Sequence, residues 1–183
     1  MPMIMSLPRT FVFATALVAC SNPARASHED WSTASDVART GLLAAALGVP
    51  AVQGDWEGGK QAAFSIAGAF VVTQGLKGVI DEERPDKSDN DSFPSGHTSS
   101  SFAAAATLHR RYGWEVGLPA HAVATFVAVA RVKADKHFVK DVIVGAAIGE
   151  ASGWIFTRPA NANVQWWPWG HTKGGGMTVS ARF

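Results

Sequence analysis

Apolar and small residues gather in five windows, roughly 36–53, 59–80, 97–112, 116–131 and 138–156, separated by short stretches bearing glycine, proline or charge. Strand-like alternation is nearly absent before residue 160. The pattern predicts an all-α fold, a compact helical bundle. Gly41, Gly68, Gly75, Gly145 and Gly149 lie inside the windows among many alanines. Each interior glycine costs about 1 kcal/mol relative to alanine, so their number predicts helices that approach one another closely. After Pro159 the pattern changes: Val164–Trp167 and Met177–Phe183 predict a short hairpin across Gly174-Gly175-Gly176. Trp166, Trp167 and Trp169 suit either a lipid interface or the end of the bundle.

The longest charge-free stretches, Gln61–Leu76 and Val116–Ala130, run 16 and 15 residues, short of the roughly 20 that a membrane-crossing helix needs. Lys60, Lys77, Glu115 and Glu150 sit beside or inside the windows. A compact domain in the periplasm or against a membrane face is therefore expected in preference to a polytopic one.

Length and composition, 183 residues with 47 % hydrophobic, suit one domain with a real core. Ahead of it, Arg9 followed by the uncharged run FVFATALVA reads as an export signal. Two cleavage positions compete: LVAC, which would lipidate Cys20, and ARA, ending at Ala26. Cys20 is the only cysteine, so no intramolecular disulfide is possible. The expected division is a signal segment 1–26, a helical domain 27–160 and an aromatic tail 161–183. Residues 1–26 hold Arg9 and Arg25 and no acid, so their removal leaves 14 basic against 15 acidic residues. A near-neutral chain has no general basic field and argues against nucleic acid as a partner.

Charged residues concentrate in three separated stretches. In KGVIDEERP, Lys77 and Arg84 are seven apart, predicting one helix face until Pro85 ends the run. Two cations on one face suit an anion. The following DKSDNDS lacks the glycine and glutamate of a calcium loop and reads as a solvated connection. In FPSGHTSSS, a glycine-bearing turn entering a helix exposes N–H groups at the positive end of the helix dipole, with His97 at the rim. In ARVKADKHFVKD, Asp141 lies four after His137, the spacing of one helical turn. A carboxylate on one ring nitrogen would leave the other free to attack. His28, His109, His121 and His171 lack such company and are assigned to packing or surface.

Joined in order, K-x6-R-P, P-S-G-H and A-R-x5-H-x3-D over Lys77–Asp141 resemble the three-part signature of the type 2 phosphatidic acid phosphatase superfamily. That superfamily also holds bacterial acid phosphatases and vanadium haloperoxidases, and looser likeness runs through DWEGGKQ and DVIVGAAIGE. The resemblance implies a metal-independent, cofactor-free phosphatase of the cell envelope, and a helical bundle of the acid phosphatase/haloperoxidase type. His137 would be the nucleophile, Asp141 its orienting partner and His97 the general acid. Lys77, Arg84, Arg131, the Ser95 hydroxyl and the Gly96 N–H would hold the phosphate. The implied partners are a phosphorylated lipid (phosphatidic acid, phosphatidylglycerophosphate, a polyprenyl pyrophosphate or a lipid A phosphate) and a membrane surface. Soluble phosphomonoesters and vanadate-dependent halide oxidation are the alternatives. Ala130 stands where the family commonly has serine. The sequence leaves oligomeric state open.

Overall fold

The structure, a computed structural model, describes residues 26–160, 164–172 and 174–181; the predicted export segment up to residue 25, Cys20 included, lies outside them. Five helices fill the five windows: α1 (His28–Gln53), α2 (Trp56–Lys77), α3 (Gly96–Tyr112), α4 (Trp114–Lys133) and α5 (Val139–Phe156). α1 begins eight residues ahead of its apolar window because Ser27 and Asp30 cap it reciprocally. The Asp30 N–H donates to Ser27 Oγ at 3.1 Å and the Ser27 N–H to the Asp30 carboxylate at 2.8 Å. Asp55 caps α2 by accepting from the Gly58 N–H.

The core is built largely of alanine: Ala46, Ala62, Ala103 to Ala106, Ala120, Ala124 and Ala130 are buried, with Leu42, Leu108 and Val127. Side chains this small let helix axes come close. α3 occupies the centre and packs against all four other helices. Its tightest neighbour is α5, where a Cβ on Gly149 would lie 2.3 Å from the Ser99 carbonyl oxygen and one on Gly145 would lie 2.7 Å from that of Ser95. Gly68 likewise faces Phe156, whereas Gly41 and Gly75 face open space and do not serve close approach.

The connections 54–55, 113 and 134–138 are short and make the helices they join antiparallel. The longer segment 78–95 brings the chain from the end of α2 to the start of α3, where Lys77 Nζ meets the Asp91 carbonyl. The end of α2, the start of α3, the end of α4 and the start of α5 therefore share one end of the bundle, together with the first turns of α1. α4 is 20 residues long and apolar enough to cross a membrane, with only 33 % of its apolar window buried. This corrects the length argument from charge-free stretches, since the helix runs on past Ala130 to Arg131 and Lys133 with its charges at the ends.

Beyond Pro159, β1 (Val164–His171) and β2 (Gly174–Ala181) pair antiparallel, from Val164 with Ala181 to His171 with Gly174. The three glycines thus lie inside β2 rather than forming the turn, and two residues connect the strands, a favoured hairpin length. The side chains of Trp166, Trp167 and Trp169 lie outside the described residues.

Candidate active site

Lys77 is the last residue of α2. The Gly78 N–H bonds back to the Gln74 carbonyl and the helix stops there, so Arg84 does not follow Lys77 along one helix face. Gly75 and Gly78 weaken the last turn, and Pro85 disfavours helix at Arg84. The chain instead turns and returns, and the two cations still meet. Lys77 Nζ and Arg84 Nη2 both donate to the Asp91 carbonyl, the latter at 3.5 Å, and Arg84 Nε pairs with Asp89 Oδ1 at 2.5 Å. Burial, ahead of the repulsion from Arg84, lowers the Lys77 pKa against the pull of Asp91.

The segment expected to be a solvated connection is a closed loop. The Glu82 N–H donates to the Asn90 carbonyl, the Arg84 N–H to that of Asp89 and the Ser92 N–H to that of Glu82, each at 3.0 Å. The loop delivers the fully buried Ser92 to the third stretch.

His137 precedes α5, which begins at Val139 with Phe138 as its cap. Its four-residue spacing from Asp141 is therefore a helix entry, not a turn of helix. Asp141, at the third helical position, accepts the Phe138 N–H at 2.9 Å and the Ser92 hydroxyl at 2.5 Å through Oδ2. The carboxylate stands 3.7 Å from His137 Nδ1. The closer partner of that nitrogen is the Ser92 carbonyl, at 2.8 Å, so a main-chain oxygen, with Asp141 behind it, fixes the tautomer. Nε2 makes no hydrogen bond among the described residues. Burial first, then Arg84 and Arg131, pushes the His137 pKa down to about 3. The imidazole is neutral and its Nε2 lone pair is free.

Ser95 is the cap of α3. Fully buried, its Oγ accepts from the Thr98 N–H at 3.4 Å and the Thr98 hydroxyl at 3.0 Å, while its N–H donates to the Asp141 carbonyl at 3.1 Å. These bonds tie the starts of α3 and α5 together. Gly96 opens α3, and its N–H is one of the donors that a helix start leaves without an intrahelical partner. His97 follows on the first turn, with Nε2 2.7 Å from Asp36 Oδ1 of α1. Burial, then Arg131 and Arg39, lowers its pKa to about 4 against the opposing pull of Asp36.

Arg131, near the end of α4, is buried. Nη1 donates to Ser32 Oγ at 3.2 Å and Ser35 Oγ at 3.4 Å, Asp36 Oδ1 lies 3.7 Å away, and Nε has no partner among the described residues. Arg39 Nε donates to Ser100 Oγ at 2.8 Å. Ser32, Ser35, Asp36 and Arg39, together with Ser92, are the residues that sequence reasoning missed. Their signal was a polar stripe at helical spacing on α1, which reads equally well as a solvated face.

Lys77, Arg84 and Arg131 all act electrostatically on His137, and Arg131 acts on His97 as well, so the three stretches form one neighbourhood. Beside it lies a cavity of about 530 Å³ between α1, α2 and α3. Its polar end holds Arg39, Lys77, Gly96 and His97, and Leu47, Ile66 and Phe70 line the apolar remainder. Arg84, Arg131 and His137 are not on its wall. His121 pairs with Glu150 at 2.6 Å and His28 with Asp135 at 3.1 Å, apart from this constellation.

The family pattern described as the PAP2 superfamily matches residues 58–165. The chain belongs to the PAP2 superfamily. Over 80 residues it is 38 % identical to a lipid A 1-phosphatase of Porphyromonas gingivalis, covering 39 % of this chain and 18 % of that protein. Over 65 residues it is 37 % identical to a lipid A 4'-phosphatase of Helicobacter pylori, covering 36 % of this chain and 33 % of that one. The chain thus spans about a fifth to a third of the length of these curated relatives. The crystal structure of Aquifex aeolicus LpxE superposes with a TM-score of 0.60 at 24 % identity, over 70 % of this chain and 83 % of that one. That likeness concerns the fold, and it agrees with the helical bundle read from the sequence.

Proposed function

We propose that this PAP2 protein is a phosphatase of the cell envelope that removes phosphate from a lipid, with a lipid A-type phosphate favoured by its relatives. The observation that carries the lipid reading is the cavity whose cationic end, Arg39 and Lys77 beside His97, continues into a wall of Leu47, Ala63, Ile66, Ala67 and Phe70. The apolar part suits an acyl chain, and the cationic end lies beside the group of Arg84, Arg131 and His137 that would take the phosphate. Apolar side chains exposed on three helices support a membrane surface: Phe70 and Val71 on α2, Leu118 and Val129 on α4, Ile143 and Ile155 on α5. In this reading residues 1–26 direct export, 27–160 are the catalytic domain and 161–183 an appended tail.

In the proposed mechanism His137 Nε2 attacks phosphorus. The P–N bond forms as the bond to the leaving oxygen breaks, and His97 supplies the proton that this oxygen takes. Water then attacks the phosphohistidine, returns a proton to His97 and releases phosphate. Lys77, Arg84, Arg131 and the Gly96 N–H hold the other phosphate oxygens. Three cations around a group of about −2 charge supply the charge stabilisation that phosphoryl transfer needs, and phosphate release is expected to persist in EDTA.

Phosphate release from a short-chain lipid phosphate and from p-nitrophenyl phosphate, by wild type and His137→Ala, tests the assignment. Turnover should fall by roughly 10⁴-fold or more without the nucleophile, and the lipid phosphate should be the better substrate. Equal rates in the two proteins would refute the mechanism. Preference for p-nitrophenyl phosphate would refute the lipid reading.

A further inference from the structure

α1 lies ahead of residue 58, where the match to the PAP2 pattern begins, yet one of its faces is turned into the site. Ser32, Ser35, Asp36 and Arg39 recur at intervals of three and four, which places them on a single stripe. Each meets a residue of the second or third signature stretch. Ser32 and Ser35 hold Arg131, Asp36 holds His97, and Arg39 holds Ser100. A stripe that merely faced water would make none of these bonds.

We propose that Asp36 is a positioning residue of the reaction: it fixes His97 through Nε2, leaves Nδ1 as the nitrogen that delivers the proton, and favours the protonated ring. The 2.7 Å contact is the only hydrogen bond of the His97 ring among the described residues. A general acid must carry its proton until the leaving oxygen takes it. The charged groups facing His97 are Asp36 and Arg39 from α1, Arg131 from α4 and, on the shared cavity wall, Lys77 from α2. Asp36 is the single anion among them. Without it His97 faces three cations, and the acidic, doubly protonated ring is confined to a pH lower still than the value of about 4 it reaches with Asp36 in place.

The contrast with His137 supports the assignment. There the fixed nitrogen donates to a neutral carbonyl, the carboxylate of Asp141 stands farther off at 3.7 Å, and Arg84, Arg131 and Lys77 disfavour the charged ring, which suits a lone-pair nucleophile. Two imidazoles held by different partners divide into base-like and acid-like roles. Asp36 is half-exposed and can act on His97 without being part of the core.

This inference rests on the hydrolase reading above, and the experiment separates the two. Histidine side-chain resonances of purified wild type, Asp36→Asn and His97→Gln are followed by NMR over pH, the last protein assigning the His97 signal. His97 should titrate at least about one pH unit lower in Asp36→Asn, the effect of losing an adjacent opposite charge, with His137 unchanged. This readout needs no turnover, so it decides the contact even if no phosphate ester is hydrolysed. In activity, Asp36→Asn should lose about tenfold in kcat on an alkyl phosphate and under about twofold on p-nitrophenyl phosphate, whose leaving group needs little acid assistance. The high-pH fall of kcat, where His97 loses its proton, should move to lower pH. In the His97→Gln background Asp36→Asn should add no further loss. An unchanged His97 titration, or an equal loss on both esters, overturns the proposal. So does tighter binding of inorganic phosphate with His97 unaltered, which would make Asp36 a competitor for the anion instead.

Discussion

Arg111 and Arg131 are buried alike, 6 % and 5 % exposed, toward opposite ends of the bundle, and their surroundings are opposites. Arg111 Nε and Nη2 grip both oxygens of Asp55 at 2.8 and 2.5 Å, and Nη1 donates to the Arg158 carbonyl at 3.1 Å. Tyr112 donates to the same carboxylate at 2.9 Å, and Arg111 holds the Asp55 carboxyl below the usual carboxylate range. Among the described residues, Arg131 has two serine hydroxyls at 3.2 and 3.4 Å, a carboxylate at 3.7 Å and a buried Nε without a partner. A buried charge is tolerated when it is paired. The first arginine is spent on the fold, while the second, in the proposed reading, keeps its charge for the phosphate.

Exchanging each arginine for methionine tests that contrast most sharply. Arg111→Met should destabilise by about 3 kcal/mol in denaturant unfolding, the low end for breaking a buried pair. Asp55, after all, keeps Tyr112 and the Gly58 N–H. Its folded fraction should retain wild-type kcat/KM. Arg131→Met should do the reverse, leaving the unfolding midpoint level or higher while kcat/KM falls about 10²- to 10³-fold, the usual cost of one transition-state donor. Comparable stability losses in the two proteins would dissolve the distinction. Inorganic phosphate or vanadate should next raise the thermal midpoint of wild type and of Arg111→Met but not of Arg131→Met, an effect worth about 2.7 kcal/mol at a hundredfold excess over Kd.

A further effect concerns pH. His137 and His97 titrate at about 3 and about 4 in the folded chain, below the ordinary 6.5. Between those values the unfolded chain binds more protons, so stability present above pH 6.5 is lost as the pH falls toward 3. Thermal unfolding of His137→Gln from pH 7 to pH 4 should show a shallower decline than wild type. An identical decline would mean that the ring is not held neutral by the fold.

Helix number was legible because small apolar windows separated by charge, glycine and proline map directly onto buried segments. Helix ends were less so. α1 starts early through the Ser27–Asp30 cap, and α2 stops at Gly78, which undoes the idea that Lys77 and Arg84 ride one helix. The His137–Asp141 spacing looked helical and is a helix entry, with Ser92 nearer than the carboxylate. Signature order singled out the charged residues of the candidate site, and the structure brings them into one neighbourhood. The contribution of α1 was hidden, because Ser32, Ser35, Asp36 and Arg39 resemble a wetted surface until α3 and α4 are packed against them.

The meeting of Lys77 and Arg84 at the Asp91 carbonyl carries a last consequence. The counterweight to both cations belongs to the peptide chain, so point replacement at position 91 leaves that oxygen in place. Asp89 and Ser92 are held to the site by their side chains, on Arg84 and Asp141, but at position 91 the side chain can vary, whereas inserting or deleting one residue between Pro85 and Pro94 would move the oxygen itself. For that contact, loop length rather than the residue at position 91 is where tolerance should end.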